Sequence, residues 1–154
     1  MRIQKDNKNE LGNHYVVAFF LYIDKLVIEE KHMKFYKCAH CGKIIALIND
    51  VNVPTICCGE VMQEIKENTV DAAVEKHIPV YEVKGNKVHV EVGSTLHPML
   101  DNHYIEWILL KSKNGNQRVR LNPGDEPKAD FALIDGDEVL EVLAYCNLHG
   151  LWKK

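Results

Sequence analysis

IPVYEVKGNKVHVEVG, Ile78 to Gly93, reads as two strands folded around a two-residue turn. Val, Ile and Tyr suit a pleated, half-buried surface, and in KVHVEV they alternate with polar residues at the period of a strand. Gly85-Asn86 supplies the left-handed backbone that a tight hairpin turn needs. Outward from this hairpin the pattern repeats. HYIEWILLKSK and NQRVRL flank Asn114-Gly115, and KADFALI and EVLEVLAYC flank Asp135-Gly136-Asp137. Each pair predicts a further hairpin. Pro123 and Pro127 mark LNPGDEP as a loop. No stretch after residue 69 carries helical spacing of useful length. The expectation is an all-β domain over 69–154, an antiparallel sandwich or barrel. Alternation assigns Val88, Val90 and Val92, and then Ile105, Trp107 and Leu109, to its core.

The chain has 154 residues, 46% hydrophobic and 27% charged, with a net charge of −3. Those figures fit a globular protein of one medium domain and one very small one. The charge gives no nucleic-acid footprint. YVVAFFLYI, Tyr15 to Ile23, is the one strongly apolar run. It is far shorter than the roughly 20 residues of a membrane span, and no small-residue cleavage site follows it. Met33 opens MKFYKC in the manner of a chain start, so residues 1–32 are expected to be an extension outside the fold.

From Met33 to Asn68 the sequence is glycine-punctuated and holds four of the five cysteines. Cys38-Ala-His-Cys41 precedes Cys57-Cys58-Gly59. Two close cysteine pairs present four thiolates to one ion, zinc or a single iron, with Gly42 and Gly59 easing the backbone around the sulfurs. So short a segment needs a metal staple to fold. The adjacent pair Cys57-Cys58 departs from the repeated C-x-x-C of zinc ribbons and tilts the reading toward iron. His40, between two ligands, is expected to face solvent.

The fifth cysteine, Cys146, has no cysteine partner, but His149 follows it at a spacing that lets both reach one metal. His77, His97 and His103 also fall in loops or at strand ends, where binding groups gather on a rigid sheet. His89 alternates with Val88 and Val90 and is expected to face solvent. Four imidazoles and one thiolate are one donor too many for tetrahedral zinc and one short of octahedral, which leaves an open position.

The cysteine frame YKCAHCGK…CCGE, followed by EKHIP, HPMLDNHYIEWI, LNPGDEP and YCNLHGLW, resembles desulfoferrodoxin, the two-iron form of superoxide reductase. The likeness covers essentially all of residues 33–154. It implies a desulforedoxin-like domain over 33–68 whose Cys38, Cys41, Cys57 and Cys58 bind one iron. It further implies an immunoglobulin-like antiparallel β-sandwich over 69–154. There His77, His97, His103 and His149 would be equatorial ligands of a second iron, and Cys146 the axial one. In the family, the glutamate matching Glu75 closes on the oxidised iron, and the lysine matching Lys76 attracts the anion. The implied reaction is one-electron reduction of superoxide to hydrogen peroxide, with a rubredoxin-like carrier as donor, in a cytoplasmic homodimer. Two rivals remain on the sequence alone: a zinc-stabilised binding module without redox activity, and a pure electron carrier.

Overall fold

The structure, a computed structural model, describes residues 33–154. The expectation about residues 1–32 lies outside them. The cysteine-rich segment forms very short strands. β1 (Phe35–Lys37), β2 (Ile44–Ala46) and, later, β5 (Gln63–Ile65) make one sheet in the order β2-β1-β5, and β3 (Ile56–Cys57) pairs with β4 (Glu60–Val61). Few of this segment's side chains are buried, among them Phe35, Cys38 and Met62. That is too little apolar burial to offset the cost of ordering the chain unaided.

After residue 69 come α1 (Val74–His77), a single turn, and then seven strands. They are β6 (Pro79–Lys84), β7 (Lys87–Val92), β8 (Ile105–Ser112), β9 (Gly115–Arg120), β10 (Lys128–Ala132), β11 (Val139–Cys146) and β12 (Gly150–Lys153). They build two antiparallel sheets, ordered β10-β7-β6 and β12-β11-β8-β9. Val88, Val90 and Val92 from one sheet meet Ile108, Leu110, Val142 and Ala144 from the other in a common core. The fold is thus mainly β, with a four-cysteine cluster beside a larger β-rich part.

The three hairpin expectations fare differently. Gly85-Asn86 is the turn between Lys84 and Lys87, with Gly85 at φ 59°. The second turn sits one residue earlier than expected: Ser112 pairs with Gly115, so Lys113-Asn114 make the bend and Gly115 already belongs to β9. The third is corrected outright. β10 pairs with β7 and β11 with β8, so residues 133–138 carry the chain from one sheet to the other. Anchors at both ends favour the crossing: Asn86 Nδ2 donates to Asp135 at 2.8 Å, and Ser112 Oγ donates to Asp137 at 2.7 Å.

The expected core on β8 is also corrected. Cys146 pairs with Ile105 and Tyr145 with Trp107, so Glu106 is an extra residue, a bulge that inverts the alternation. Ile105 therefore shares the inner face with Ile108 and Leu110, as Cys146 does with Ala144 and Val142. Trp107 and Leu109 lie on the opposite face. They are nonetheless buried, at 7% and 6% exposure. Trp107 stacks between Phe35 (5.5 Å between centroids) and Tyr145 (5.4 Å). Lys37 Nζ donates to the Tyr145 hydroxyl at 2.9 Å. Asn68 in turn zips onto β12: its N–H donates to the Leu151 carbonyl, and its side chain exchanges two bonds with Lys153.

Two candidate metal centres

The four-cysteine cluster is built by two turns. Cys38 and Cys41 bracket a knuckle closed by Gly42 N–H to the Cys38 carbonyl and Cys38 N–H to the Lys43 carbonyl. Cys57 ends β3, and Cys58-Gly59 form the two-residue turn to β4, both with positive φ (52° and 84°). Positive φ is uncommon for a non-glycine residue, and here it brings the Cys58 sulfur back toward its neighbour. The sulfurs of Cys41 and Cys57 are 3.7 Å apart, and those of Cys57 and Cys58 3.9 Å. Thiolates about 2.3 Å from a common tetrahedral ion stand about 3.8 Å apart, so the spacing fits one ion. His40 is exposed, as expected, and reaches Glu60 at 3.1 Å.

The donor groups resist ionising together. Backbone N–H donation from Cys41 lowers the Cys38 thiol to about 6, whereas hydrogen bonding to Cys41 and the other thiols raises Cys58 to about 12. One sulfur takes the charge and its neighbours then hold their protons. A bound cation removes that conflict.

The second cluster gathers His77, His97, His103, Cys146 and His149, with one donor atom of each within 4.8 Å of all the others. His77 ends α1, His97 and His103 come from the loop between β7 and β8, and Cys146 and His149 flank the turn between β11 and β12. His77 Nδ1 donates to the Ala73 carbonyl at 2.7 Å and His97 Nδ1 to the Pro98 carbonyl at 2.6 Å. Each bond fixes the ring and leaves Nε2 as the free donor atom. His77 Nε2 lies 2.9 Å from His149 Nδ1 and 3.1 Å from His97 Nε2. Nitrogens about 2.1 Å from one ion and at right angles stand about 3.0 Å apart.

The ring centroids give the order around the site. His77 is 4.7 Å from both His97 and His149, and His103 is 4.6 Å from His97 and 4.8 Å from His149. His77 and His103 are 6.2 Å apart, across the diagonal. The four imidazoles thus form a square, and the Cys146 sulfur lies 3.6 Å from His149 Nδ1. His103 Nε2 is buried and, among the described residues, has no hydrogen-bond partner. Such an orphan costs on the order of 1–3 kcal/mol, unless an ion at the centre of the square takes its lone pair.

Burial, and then mutual repulsion among the rings, push His77 and His103 below the ordinary histidine range, and burial takes His97 to about 4. For His77, His97 and His103 the neutral imidazole, which is the ligand form, is thereby favoured. Burial pushes the Cys146 thiol up, and a cation reverses that preference by binding the thiolate.

Glu75 and Lys76 lie on the exposed side of α1, directly before His77. The Glu75 carbonyl accepts from Thr95 N–H at 3.1 Å and from Ser94 Oγ at 3.2 Å. Lys76 is close enough for its charge to depress the His103 imidazole. His89 faces solvent, as expected, and bonds Asp130 at 2.7 Å. Sequence reasoning missed two supports. Trp152 stacks on His77 at 4.7 Å and donates to the His149 carbonyl at 3.0 Å. Gly93, at φ 85°, lets the loop pass under α1: a Cβ there would stand 2.4 Å from the Thr95 carbonyl oxygen and 2.7 Å from that of Lys76.

A family model described as desulfoferrodoxin matches residues 69–154. A desulfoferrodoxin homolog of Archaeoglobus fulgidus is 45% identical over 121 residues, covering 79% of this chain and 95% of its own. A desulfoferrodoxin of Syntrophotalea carbinolica is 47% identical over 120 residues, covering 78% and 94%. The crystal structure of the superoxide reductase from Treponema pallidum superposes with a TM-score of 0.69 at 40% identity, covering 80% of this chain and 99% of that one. The cluster of cysteines alone and the cluster of histidines with Cys146 match two distinct non-haem iron sites. On the frame of both clusters and the length of these alignments, the chain belongs to the desulfoferrodoxin family.

Proposed function

We propose that this protein is a superoxide reductase, which passes one electron to superoxide and, with two protons, releases hydrogen peroxide. One observation carries the reading: four imidazoles in a square and a buried cysteine, five donors within 4.8 Å, on a family frame. Five donors exceed what a structural zinc site uses, which sets aside the binding-module alternative. When bound, a ferrous ion supplies the electron and an open coordination position for the anion.

The rest falls to side chains. Cys146 places a thiolate against the square from the core side, where it is shut away from water. The Ala73 and Pro98 carbonyls hold the rings of His77 and His97 in one tautomer. Lys76 provides a local cation at the rim of a chain whose net charge is −3, so that superoxide is drawn in despite the overall repulsion. Glu75, beside it on α1, is assigned as the carboxylate that covers the site after product leaves, a reading supported by its exposed position directly before Lys76 and His77. In this reading His77, His97, His103, His149 and Cys146 hold the reactive iron, and Cys38, Cys41, Cys57 and Cys58 the other.

The larger part, 69–154, is assigned an immunoglobulin-like sandwich, supported by its two antiparallel sheets around a shared core. The segment 33–68 is assigned a desulforedoxin-like domain, and residues 1–32 an extension. A rubredoxin-like carrier as electron donor, a homodimeric assembly and a cytoplasmic location complete the proposal. Among the described residues no helix is long and apolar enough to cross a membrane. The test is a superoxide burst delivered to the reduced, iron-loaded protein. Peroxide released without oxygen supports a reductase. Oxygen and peroxide together indicate dismutation, and no reaction above the spontaneous rate indicates an electron carrier.

A further inference from the structure

His103 is the ligand candidate with the least evident support. His77 and His97 are each fixed by an Nδ1 bond to a carbonyl, and His149 is tied through its backbone to Trp152. Among the described residues the His103 ring has its place in the square and an unpartnered Nε2, with no such bond to a carbonyl. What holds it must act on its backbone.

Beyond the pairing of His103 with Leu100, three hydrogen bonds to one residue hold the backbone on either side of it. Asn147 N–H donates to the Tyr104 carbonyl at 3.2 Å. Its side-chain oxygen accepts from Tyr104 N–H at 2.9 Å. Its side-chain Nδ2 donates to the Asn102 carbonyl at 3.1 Å. The Asn147 amide thus straddles His103, gripping the chain on both sides of it, while Asn147 itself directly follows Cys146. The two-residue loop Asp101-Asn102 is closed by reciprocal bonds between Leu100 and His103, so a grip on its exit sets the ring's position.

We propose that Asn147 is a positioning residue that registers the His103 loop against the Cys146–His149 turn, so that donors from two separate loops arrive at one ion together. The proposal rests on reading the five donors as an iron site. An amide suits the task because it accepts and donates at once. The substitution N147D would keep the acceptor for Tyr104 N–H but set a carboxylate against the Asn102 carbonyl, and N147A would lose the bonds to Tyr104 and Asn102 together with the long 3.9 Å contact from the Cys146 thiol to Asn147 Oδ1. Residues that orient ligands in this way are worth about 10- to 100-fold in metal affinity.

The experiment is an anaerobic ferrous titration of the full-length apoprotein against a competing chelator. Affinity at the five-donor site is read for wild type, N147A, N147D, H103A and the N147A/H103A double variant. N147A is expected to lose about 10- to 100-fold and N147D less, with the thiolate absorption of the oxidised site shifted in both. The four-cysteine site's own band reports folding in every sample. In the H103A background, N147A is expected to cost little more, because the grip then has no ring to place. Should N147A disturb the four-cysteine band, N147D, which has the same shape, decides. Wild-type affinity and spectrum in N147D and N147A would overturn the proposal, and full additivity with H103A would overturn its route through His103. Wild type that takes up no second iron contradicts the iron-site reading itself, so the wild-type isotherm tests that reading and the variant-to-wild-type ratio tests Asn147.

Discussion

Single residues decide the chemistry through the company they keep. Cys146 is a buried thiol whose burial favours the protonated form, and a cation bound at the square of imidazoles would favour the thiolate instead. Lys76, the proposed steering cation, has the opposite setting, on an exposed turn, where the effect of a charge depends on salt. Lys76→Ala is expected to slow superoxide capture about 3- to 10-fold at low ionic strength and to flatten the salt dependence. Stopped-flow or pulse-radiolysis rates across a salt series check this, and full-speed capture at low salt would remove Lys76 from the mechanism. At this scale much of the site was legible. The C-x-x-H spacing of Cys146 and His149 and the His-Pro stiffening of His97 point to metal chemistry without any structure. What could not be read was support from outside the motif. The orienting carbonyl of Ala73 and the Trp152 ring become visible only once α1 and β12 are folded together.

At the scale of elements, one turn of helix and one bulge set the site. α1 is only four residues long, too short to leave a periodic signature, yet it delivers His77 and presents Glu75 and Lys76. The loop beneath it depends on Gly93. Gly93→Ala is expected to destabilise the fold by about 1–3 kcal/mol from its positive φ alone, with more from the overlap with two carbonyl oxygens. It should also weaken metal binding at the five-donor site. Denaturant midpoints and a metal titration on the same variant check both. The bulge at Glu106 defeats alternation: it moves Ile105 inward and turns Trp107 to the other face. Counting by twos from sequence cannot find it, because β8 is apolar on both faces. β7, apolar on one face only, was read correctly for the same reason inverted.

On the outer face of β7, His89 bonds Asp130 and lies 3.5 Å from Glu91. The Asp130 bond, with help from Glu91, raises the His89 imidazole above its ordinary value. A raised folded value means that the stabilisation is fully present below the unfolded value of about 6.5 and is lost as pH rises through the folded one. His89→Gln is therefore expected to lower the denaturation midpoint at about pH 5.5 and to leave it nearly unchanged at about pH 9. An equal loss at both would assign His89 a purely steric part.

The whole molecule joins two metal clusters that the sequence separates by a change of pattern near residue 69. Phe35–Lys154 forms one compact unit, held by the Phe35–Trp107–Tyr145 stack, the Lys37–Tyr145 bond and the Asn68 zipper onto β12. The two-part layout was legible from the shift from clustered cysteines to alternating valines. The contacts across it were not, since they pair residues far apart in the chain, as Asn68 with Lys153. Nor was the crossing of residues 133–138 between sheets, because a glycine turn between two strands reads alike whether they pair or part.

Five donor side chains from three separate segments converge where one iron would sit, and four cysteines where another would. Anaerobic iron reconstitution followed by metal analysis, on wild type and on Cys146→Ser, tests it directly. Two irons per chain are expected in the wild type. In Cys146→Ser the thiolate absorption of the second site is lost and superoxide reduction ceases, while the four-cysteine colour is unchanged. A wild type that binds a single iron, or a Cys146→Ser protein that keeps the second site's thiolate absorption and full activity, would contradict it.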